Sequence, residues 1–418
     1  MKALWPILSA AMALAVPGAV HATTLDEAIA AAISHAPEIE AADAARDAAR
    51  GRLDQAHAGR LPTAGISGTI GYGRLDPKNF FGLGAADVTP RSAQATIEQP
   101  LFTGGRAGAG IARARAGMEA AQAGGIAARS QTVVAVVGAY GDVLAAAETV
   151  KLYRQLVAET AEIERQAHLR FSAGETPSTD ISQARARVAE AQSALARAEG
   201  MQVNAHARYR NLTGVEPADL QPLPPNPSLP DTLDEAMDIA MGNSPALHQA
   251  QAALAAAEAG ARGARAERLP TISAFAEAAT VRDQFFPDYR ADSATVGVRG
   301  RWELFSGGRV SGKITEADGE VRGAEAGLRA ARMNLEESIL SAWQDVHTAE
   351  LVQKASEEQA AAAAQALASV RHEVRVGMKP QIDLLDAERE AMAAAAGAAQ
   401  ARTGRIVAAY RLNALIGR

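Results

Sequence analysis

The side chains that could carry out chemistry are scattered along this chain and form no catalytic pattern. There is no His-x-x-x-His metal-ligand spacing and no Gly-x-Ser-x-Gly nucleophile turn. The histidines are His21, His35, His57, His168, His206, His248, His347 and His372. Asp and Glu residues are interspersed with Arg at helical spacing, as on solvated or lumen-facing helix surfaces. We therefore expect no enzyme, no cofactor and no bound metal.

The composition indicates a helical, exported protein that does not bind nucleic acid. Aromatic residues make up only 4% of the chain and hydrophobic residues 48%, with alanine prominent among them. Because alanine favours helix and buries little area, we expect long helices packed along narrow seams. The absence of cysteine excludes disulfides and a lipid-bearing cysteine, and a net charge of −6 leaves no basic stripe for nucleic acid.

The first 22 residues have the pattern of a secretory signal peptide that is cleaved after Ala22. Lys2 supplies a positive charge, and an apolar run extends from Leu4 to Val16. This run is far shorter than the ~20 apolar residues of a membrane-spanning helix. No comparable run follows, so we expect export from the cytoplasm and no spanning helix in the mature chain.

The remainder of the chain contains two similar segments, one after the other. The segment TLDEA at 24–28 recurs at 232–236, an offset of 208 (232 minus 24), and LF at 101–102 recurs at 304–305, an offset of 203 (304 minus 101). Other matches keep the same order, which indicates two tandem repeats. The predicted boundaries are 23–220 for the first repeat, 221–230 for a Pro-rich linker and 231–418 for the second repeat.

Each repeat predicts a helix, two strands and a long helical hairpin. Period-two alternation predicts strands over about 63–73, 91–102, 271–281 and 293–305. Helical patterns predict long helices over about 105–173, 179–212, 308–376 and 381–416. A soluble sheet with one solvated face would alternate in the same way. Strands of about ten residues also suit a bilayer, where the two bare edges of four strands must pair with other copies of the chain.

The repeated Leu-Phe-(Thr/Ser)-Gly-Gly-Arg motif predicts a hinge between strand and helix. Leu-Phe ends the second strand of each pair, and a glycine pair follows that permits a sharp turn. Thr103 and Ser306 are placed to cap the next helix. The hinge residues are Thr103, Gly104, Gly105, Ser306, Gly307 and Gly308. A phosphate-binding loop is the alternative, but neither copy has the Gly-x-x-x-x-Gly-Lys or Gly-x-Gly-x-x-Gly pattern.

Taken together, these motifs resemble the TolC family of outer-membrane channel-tunnels. The resemblance covers the whole mature chain and rests on TLDEA, on LFTGGR and LFSGGR, and on the turns FSAGETPSTDISQAR and VRVGMKPQIDLLDAE. Family members often have Asp before the glycine pair, where this chain has Thr103 and Ser306. The resemblance implies a mainly α-helical homotrimer with a transmembrane β part. Twelve strands would close one outer-membrane β-barrel, and an α-helical barrel would continue it through the periplasm.

The implied function is the exit duct of a tripartite efflux pump or of a type I secretion system. Its implied partners are a periplasmic adaptor protein, an inner-membrane transporter and outer-membrane lipid. A soluble periplasmic coiled-coil adaptor is the alternative, since it would also be exported, alanine-rich and helical. Adaptors, however, lack two copies of a membrane-length strand pair. The loops near Phe80-Phe81 and Phe285-Phe286 are expected to face the outside.

The resemblance also implies a gate at the turns between the long helices. Family members carry a basic residue and two aspartates at set distances past the glycine of the second turn, and these positions hold Lys379, Asp383 and Asp386. The matching aspartate of the first repeat is Asp180. Three-fold symmetry would bring these groups to one axis, where repulsion and Lys–Asp pairing set the width. Helix capping explains Asp180 and Asp383 equally well, because acids are favoured in a first turn.

Overall fold

A computed structural model of the chain describes residues 22–76 and 85–417. Residues 1–21 of the predicted signal peptide and the loop at Phe80-Phe81 lie outside these residues. The chain forms two units. Within these residues, the helical unit comprises 22–35, Ala135–Pro225 and Val352–Ile406, and the strand unit comprises 36–76, 85–134, Asn226–Leu351 and 407–417.

Both repeats follow the same order of elements. The helices are α1 Leu25–His35, α2 Pro37–Ala58, α3 Arg106–Ser172, α4 Ser178–Thr213, α5 Leu233–Asn243, α6 Pro245–Ala266, α7 Arg309–Arg375 and α8 Gln381–Leu415. The strands are β1 Thr63–Ile70, β2 Gly73–Leu75, β3 Ala86–Val88, β4 Arg91–Phe102, β5 Thr271–Arg282 and β6 Arg290–Arg301. The equivalent helices α3 and α7 each contain 67 residues. Two tandem repeats of a mainly helical fold are therefore confirmed.

A threonine and a glutamate cap the first helix of each repeat. The backbone N–H of Glu27 donates to the Thr24 hydroxyl at 3.2 Å, and the Thr24 N–H donates to the Glu27 carboxylate at 2.8 Å. In the second repeat the Glu235 N–H donates to the Thr232 hydroxyl at 3.1 Å. The Glu235 carboxylate accepts from the Asp231 N–H at 2.9 Å, so the reciprocal capping box forms in the first repeat alone. In both repeats the side chains satisfy backbone groups that a helix start leaves without partners. The repeated TLDEA segment is therefore a helix-start signal.

The four long strands form one antiparallel sheet in the order β1-β4-β5-β6. The central β4–β5 pair joins the two repeats. Among the described residues, β1 and β6 each pair on one side, so both edges of the sheet are bare there. Ile66 on β1 and Val296 on β6 are 88% and 85% exposed. In a single copy of the chain, a large apolar side chain is thus exposed at each bare edge.

Two strand predictions differ from the structure. β6 ends at Arg301, so Leu304-Phe305 is not part of a strand, whereas Leu101-Phe102 ends β4 as predicted. β4 has a second neighbour in β5 that supports it to Phe102. In the part of the chain that the structure describes, β6 pairs with β5 alone, and β5 begins at Thr271, the partner of Arg301. The first strand also stops early, at Ile70, and a short β2–β3 hairpin follows it.

Each unit has its own apolar core. In the helical unit Val136, Val137 and Tyr140 are completely buried. In the strand unit α5, α7 and α8 pack through a cluster that includes Ile339 and Leu412. α3 contains an 18-residue stretch with a mean hydropathy of 1.6, long and apolar enough to span a membrane, which corrects the expectation that no such run follows the N-terminus. Because 44% of that stretch is buried inside the protein, it is weak evidence for a membrane span.

The linker between the repeats is held by a buried tyrosine. The Tyr140 hydroxyl lies 2.9 Å from the Thr23 carbonyl oxygen and 2.7 Å from that of Gln221, and it can donate to one of them at a time. Thr23 and Leu220 also form an isolated parallel bridge. Burial raises the Tyr140 pKa to about 12, so the hydroxyl keeps its proton at neutral pH. Tyr140 therefore ties the start of the first repeat to the start of the linker.

Candidate gate and strand-to-helix hinges

The two turns between long helices have the same local geometry. Gly174 follows α3 with φ of 77°, and Gly377 follows α7 with φ of 79°. Such left-handed backbone favours glycine, which explains why each turn contains one. Asp180 and Asp383 then lie in the first turns of α4 and α8, where the helix dipole favours a carboxylate. Both turns belong to the helical unit.

Ion pairs within the chain engage two of the four predicted gate residues. Lys379 Nζ lies 3.1 Å from Glu373 Oε2, just before the turn. Asp386 Oδ1 accepts a hydrogen bond of 2.9 Å from an Arg187 guanidinium N–H, which joins α8 to α4. Lys379 therefore does not pair with Asp383 or Asp386 of its own chain. Pairing between copies stays a prediction.

The other two predicted residues, Asp180 and Asp383, form no ion pair among the described residues. Asp180 is exposed and lines a small cavity of about 70 Å³ together with Gln381. An Arg170 guanidinium N–H donates to Gln381 Oε1 at 3.1 Å and so links the end of α3 to the start of α8. The turns are thus joined by Arg170 and Arg187, which sequence reasoning did not select, because arginine at helical spacing is typical of any solvated face.

A buried acidic group lies further along α8. The Glu388 side chain is 2% exposed, and Arg371 of α7 lies between Glu388 and Glu159 of α3. One guanidinium nitrogen of Arg371 is 3.0 Å from a Glu159 oxygen and 3.4 Å from a Glu388 oxygen. Burial, followed by the nearby Glu159 charge, raises the Glu388 pKa to about 7 against the opposing effect of Arg371. These three groups are called the α3–α7–α8 charge cluster below.

The predicted hinges have matching backbone geometry in the two repeats. Gly104 and Gly105 have φ of 63° and 91°, and Gly307 and Gly308 have φ of 58° and 88°. The Thr103 hydroxyl accepts from the Ala107 N–H at 3.3 Å, and the Ser306 hydroxyl accepts from the Val310 N–H at 3.4 Å. A glycine pair with two positive φ angles therefore turns the chain from strand to helix in both repeats.

A second contact at each hinge was not predicted. The Gln99 side-chain N–H donates to the Arg60 carbonyl oxygen at 2.8 Å. In the second repeat the Trp302 indole N–H donates to the Arg268 carbonyl oxygen at 3.0 Å. Gln99 and Trp302 occupy equivalent positions, and so do Arg60 and Arg268, but a Gln aligned with a Trp gives no sequence signal. These bonds fix the segment before β1 or β5 against the end of β4 or β6.

The two hinges differ in their ion pairs. Arg309, the arginine of the second motif, lies 3.0 Å from Glu267 and 2.7 Å from Glu303, and Lys313 also contacts Glu267. These cations lower the Glu267 pKa, the hydrogen bond from Lys313 having the largest effect. Arg106, the arginine of the first motif, instead donates to the Thr103 carbonyl oxygen at 3.2 Å. Ion pairs of Arg309 therefore hold the second hinge, whereas a hydrogen bond from Arg106 to a backbone carbonyl oxygen holds the first.

This architecture matches a known family over nearly the whole described chain. The family described as outer membrane efflux protein matches residues 28–215 and 236–418, one segment for each repeat. The chain belongs to the outer membrane efflux protein family. The soluble adaptor alternative is set aside by this finding, and the location that follows from the family is the outer membrane.

Two relatives of this chain are bacterial proteins. Over 290 residues it is 28% identical to the outer membrane efflux protein BepC of Brucella suis, covering 69% of this chain and 63% of the relative. Over 343 residues it is 30% identical to protein CyaE of Bordetella pertussis, covering 79% of this chain and 70% of that one. The match to BepC thus spans less than two thirds of BepC's length.

The fold of this chain agrees with that of a solved channel. It superposes on the CmeC outer membrane channel of Campylobacter jejuni with a TM-score of 0.83 at 15% identity, covering 94% of this chain and 85% of CmeC. Identity at this level establishes the fold alone. Within residues 22–76 and 85–417, no group of three or more His, Asp or Glu side chains is placed to hold a metal ion.

Proposed function

We propose that three copies of this efflux protein form an exit duct through the outer membrane. Each copy contributes the four strands β1, β4, β5 and β6, which gives twelve strands in a closed barrel, and the long helices form the periplasmic part. The observation that carries the proposal is the pair of bare edges on a sheet with one apolar face. In hydrocarbon an unpaired edge costs several kcal/mol for each unsatisfied backbone group, so the sheet must close with neighbours.

The lengths of the strands support a membrane location for the sheet. β4, β5 and β6 each contain 12 residues. At about 3.3 Å per residue and a tilt of about 45°, such a strand covers close to the ~30 Å of a bilayer's hydrocarbon core. One face of these strands carries mostly apolar residues, such as Ile97, Val296 and Val298, and the other carries mostly small or polar residues, with Phe275 as an exception. This is the alternation of an outer-membrane barrel with a wet lumen.

The duct passes substrates received from an inner-membrane transporter and a periplasmic adaptor. The family and the name of BepC, an outer membrane efflux protein, support this role. The long helices α3, α4, α7 and α8 supply the periplasmic part, and the turns between them form the gate. The transporter belongs either to a tripartite efflux pump or to a type I secretion system.

The gate consists of Lys379 and the three aspartates at the helical turns. Lys379 pairs with Glu373 in its own chain, and Arg187 joins Asp386 to α4. Loss of either basic group leaves carboxylates uncompensated, and their repulsion widens the constriction. We expect Lys379→Ala to raise the single-channel conductance of the purified trimer in a planar bilayer. Unchanged conductance would remove Lys379 from the gate.

The function itself is tested by fractionation and conductance. The expressed protein should stay in the outer-membrane fraction after washes in high salt and in alkali, and it should need detergent for extraction. In planar bilayers the extracted protein should form ion-conducting channels. A protein that washes off, or that forms no channels after extraction, contradicts the proposal.

A further inference from the structure

An exposed arginine occurs at the same place in both repeats of the strand unit. The sequence Arg-Leu-Pro-Thr at 60–63 recurs at 268–271, directly before β1 and β5. Arg60 and Arg268 are both exposed. Among the described residues neither guanidinium forms an ion pair. Two guanidinium groups therefore lie at the junction of strand and helix without a carboxylate to neutralise them.

The backbone of each arginine is nevertheless fixed in place. The Arg60 carbonyl oxygen accepts from Gln99, and the Arg268 carbonyl oxygen accepts from the Trp302 indole. Each arginine thus has a set position beside the end of a strand. Both side chains are exposed, and the Arg60 guanidinium lies close to Gly108 of α3. Arg309 is a useful contrast, because Glu267 and Glu303 already neutralise it.

The surface around these arginines is apolar and open. Trp302 is 61% exposed although its N–H is hydrogen-bonded, so the ring presents its apolar face outward. The neighbouring Leu61, Leu269, Leu304 and Phe305 are also exposed, Phe305 at 87%. A tryptophan with a bonded N–H and an apolar ring, next to basic side chains, is typical of the interface between membrane and water.

We propose that Arg60, Arg268 and Trp302 form a binding surface for anionic phospholipid headgroups in the leaflet nearest the hinges. This inference rests on the proposed function, because it needs the sheet to lie in a membrane. A guanidinium binds a phosphate through two parallel N–H donors, and the Trp302 ring packs beside the glycerol region. A zwitterionic headgroup carries its own cation, so the surface prefers a lipid with net negative charge.

The preference for anionic lipid is measured by native mass spectrometry of the detergent-extracted full chain. Phosphatidylglycerol and phosphatidylcholine with the same acyl chains are titrated separately. Wild type should bind phosphatidylglycerol more tightly than phosphatidylcholine. Arg60→Gln with Arg268→Gln should weaken phosphatidylglycerol binding by about fivefold for each arginine, with little effect on phosphatidylcholine, because one basic residue near an anionic surface contributes ~1 kcal/mol.

Two further variants distinguish the effect of positive charge at this surface from the effect of the protein's total charge. Arg50→Gln with Arg52→Gln removes the same charge from α2, at least eight residues or about 12 Å before Arg60, and should leave lipid binding unchanged. Arg60→Lys with Arg268→Lys keeps the charge and should keep the preference for phosphatidylglycerol.

Three results would overturn the inference. These are equal binding of the two lipids by wild type, an equal loss in the Arg50 and Arg52 variant, and complete displacement of phosphatidylglycerol by inorganic phosphate, which would indicate a free-anion site. Conductance of the same preparation in planar bilayers distinguishes this failure from failure of the duct. A conducting protein without lipid preference refutes the inference alone, whereas a protein that forms no channels refutes both.

Discussion

Glu388 shows how a single buried residue can make the packing of long helices depend on pH. Its side chain packs among α3, α7 and α8, where Arg371 compensates only part of the combined charge of Glu159 and Glu388. The carboxyl oxygen Oε2 of Glu388 is buried and has no hydrogen-bond partner among the described groups. An ionised carboxylate in this position is costly, which is why its pKa is raised from an ordinary value of 4.5 to about 7.

The charge cluster predicts greater stability at pH 5 than at pH 8. The folded pKa of Glu388 lies above its unfolded value, so the folded state binds more protons between pH 4.5 and 7. Its stabilising contribution is complete below the unfolded pKa and is lost as the pH rises through about 7. The loss is a few kcal/mol at most, since one pKa unit is worth about 1.4 kcal/mol.

Thermal unfolding of the purified protein at a series of pH values measures this effect. Glu388→Gln should flatten the decline in unfolding temperature between pH 5 and pH 8. Glu390→Gln, an exposed neighbour on α8, is the matched control and should leave the decline as in wild type. An undiminished decline in the Glu388 variant would show that another group causes the pH dependence.

The two aspartates of the second turn should contribute unequally to ion selectivity. Arg187 lies 2.9 Å from Asp386 and Arg389 lies 3.9 Å from it, so its charge is largely balanced, whereas Asp383 forms no ion pair among the described residues. We expect Asp383→Asn to lower the cation preference of the channel more than Asp386→Asn does. The reversal potential in a salt gradient measures this preference.

Asp345→Asn, an exposed position on α7 remote from the turns in sequence, serves as the control for a general loss of charge. An equal effect of the two turn variants would contradict the balance inferred for Asp386.

The sequence could supply the type and approximate position of the predicted gate residues but not their partners. Spacing from a turn glycine placed Lys379 and the aspartates near helix starts. The partners Glu373 and Arg187 depend on rotamers and on the approach of neighbouring helices, which no local pattern encodes. Glu388 was missed because glutamate in a helix usually indicates a solvated face. Here Leu384, Leu385 and Ala391 on the same helix are buried and take it out of water.

At the scale of elements, the glycine hinges are equivalent in backbone conformation but not in their surroundings. A Cβ atom at Gly104 would lie 2.8 Å from the Leu269 Cβ and 3.0 Å from the Ala266 carbonyl oxygen. A Cβ atom at Gly307 would meet nothing within 4 Å. Both positions have φ near 60°, so an alanine at either one is strained by about 1 kcal/mol or more.

Gly104→Ala should therefore destabilise the protein more than Gly307→Ala, by about 1–3 kcal/mol beyond the shared backbone strain, because it adds a steric clash in a packed region. The midpoints of thermal unfolding of the two variants make the comparison, and each variant serves as the control for the other. Equal midpoints would mean that the segment before β5 moves away from the added Cβ atom with little loss of stability.

The sequence predicted helices and strands well where hydrophobic periodicity defines the element or where a glycine or proline ends it. The long helices begin and end within a few residues of the predicted positions, because a glycine or proline stands at most of their ends. The end of β6 was wrong because it depends on whether a partner strand is available. The β2–β3 hairpin was missed because strand pairs of three residues have too short a pattern to detect.

At the scale of the whole molecule, we propose that β1 of one copy pairs with β6 of the next. The two strands are separated by β4 and β5 within a chain, which at about 4.8 Å per strand is roughly 14 Å. A disulfide requires Cα atoms about 4.4–6.8 Å apart, so a β1–β6 disulfide cannot form within one chain. The chain has no cysteine of its own, so introduced cysteines report without background.

The most direct measurement is oxidative cross-linking between these edges. Ser67→Cys on β1 is combined in turn with Ser293→Cys, Thr295→Cys and Gly297→Cys on β6, and Ser67→Cys with Ser273→Cys on the interior strand β5 is the control. We predict that one β1–β6 pair gives a covalent species that stops at three chains on a denaturing gel, while the control stays monomeric. No cross-link in any β1–β6 pair, or a ladder that continues past three chains, would contradict the closed trimeric barrel.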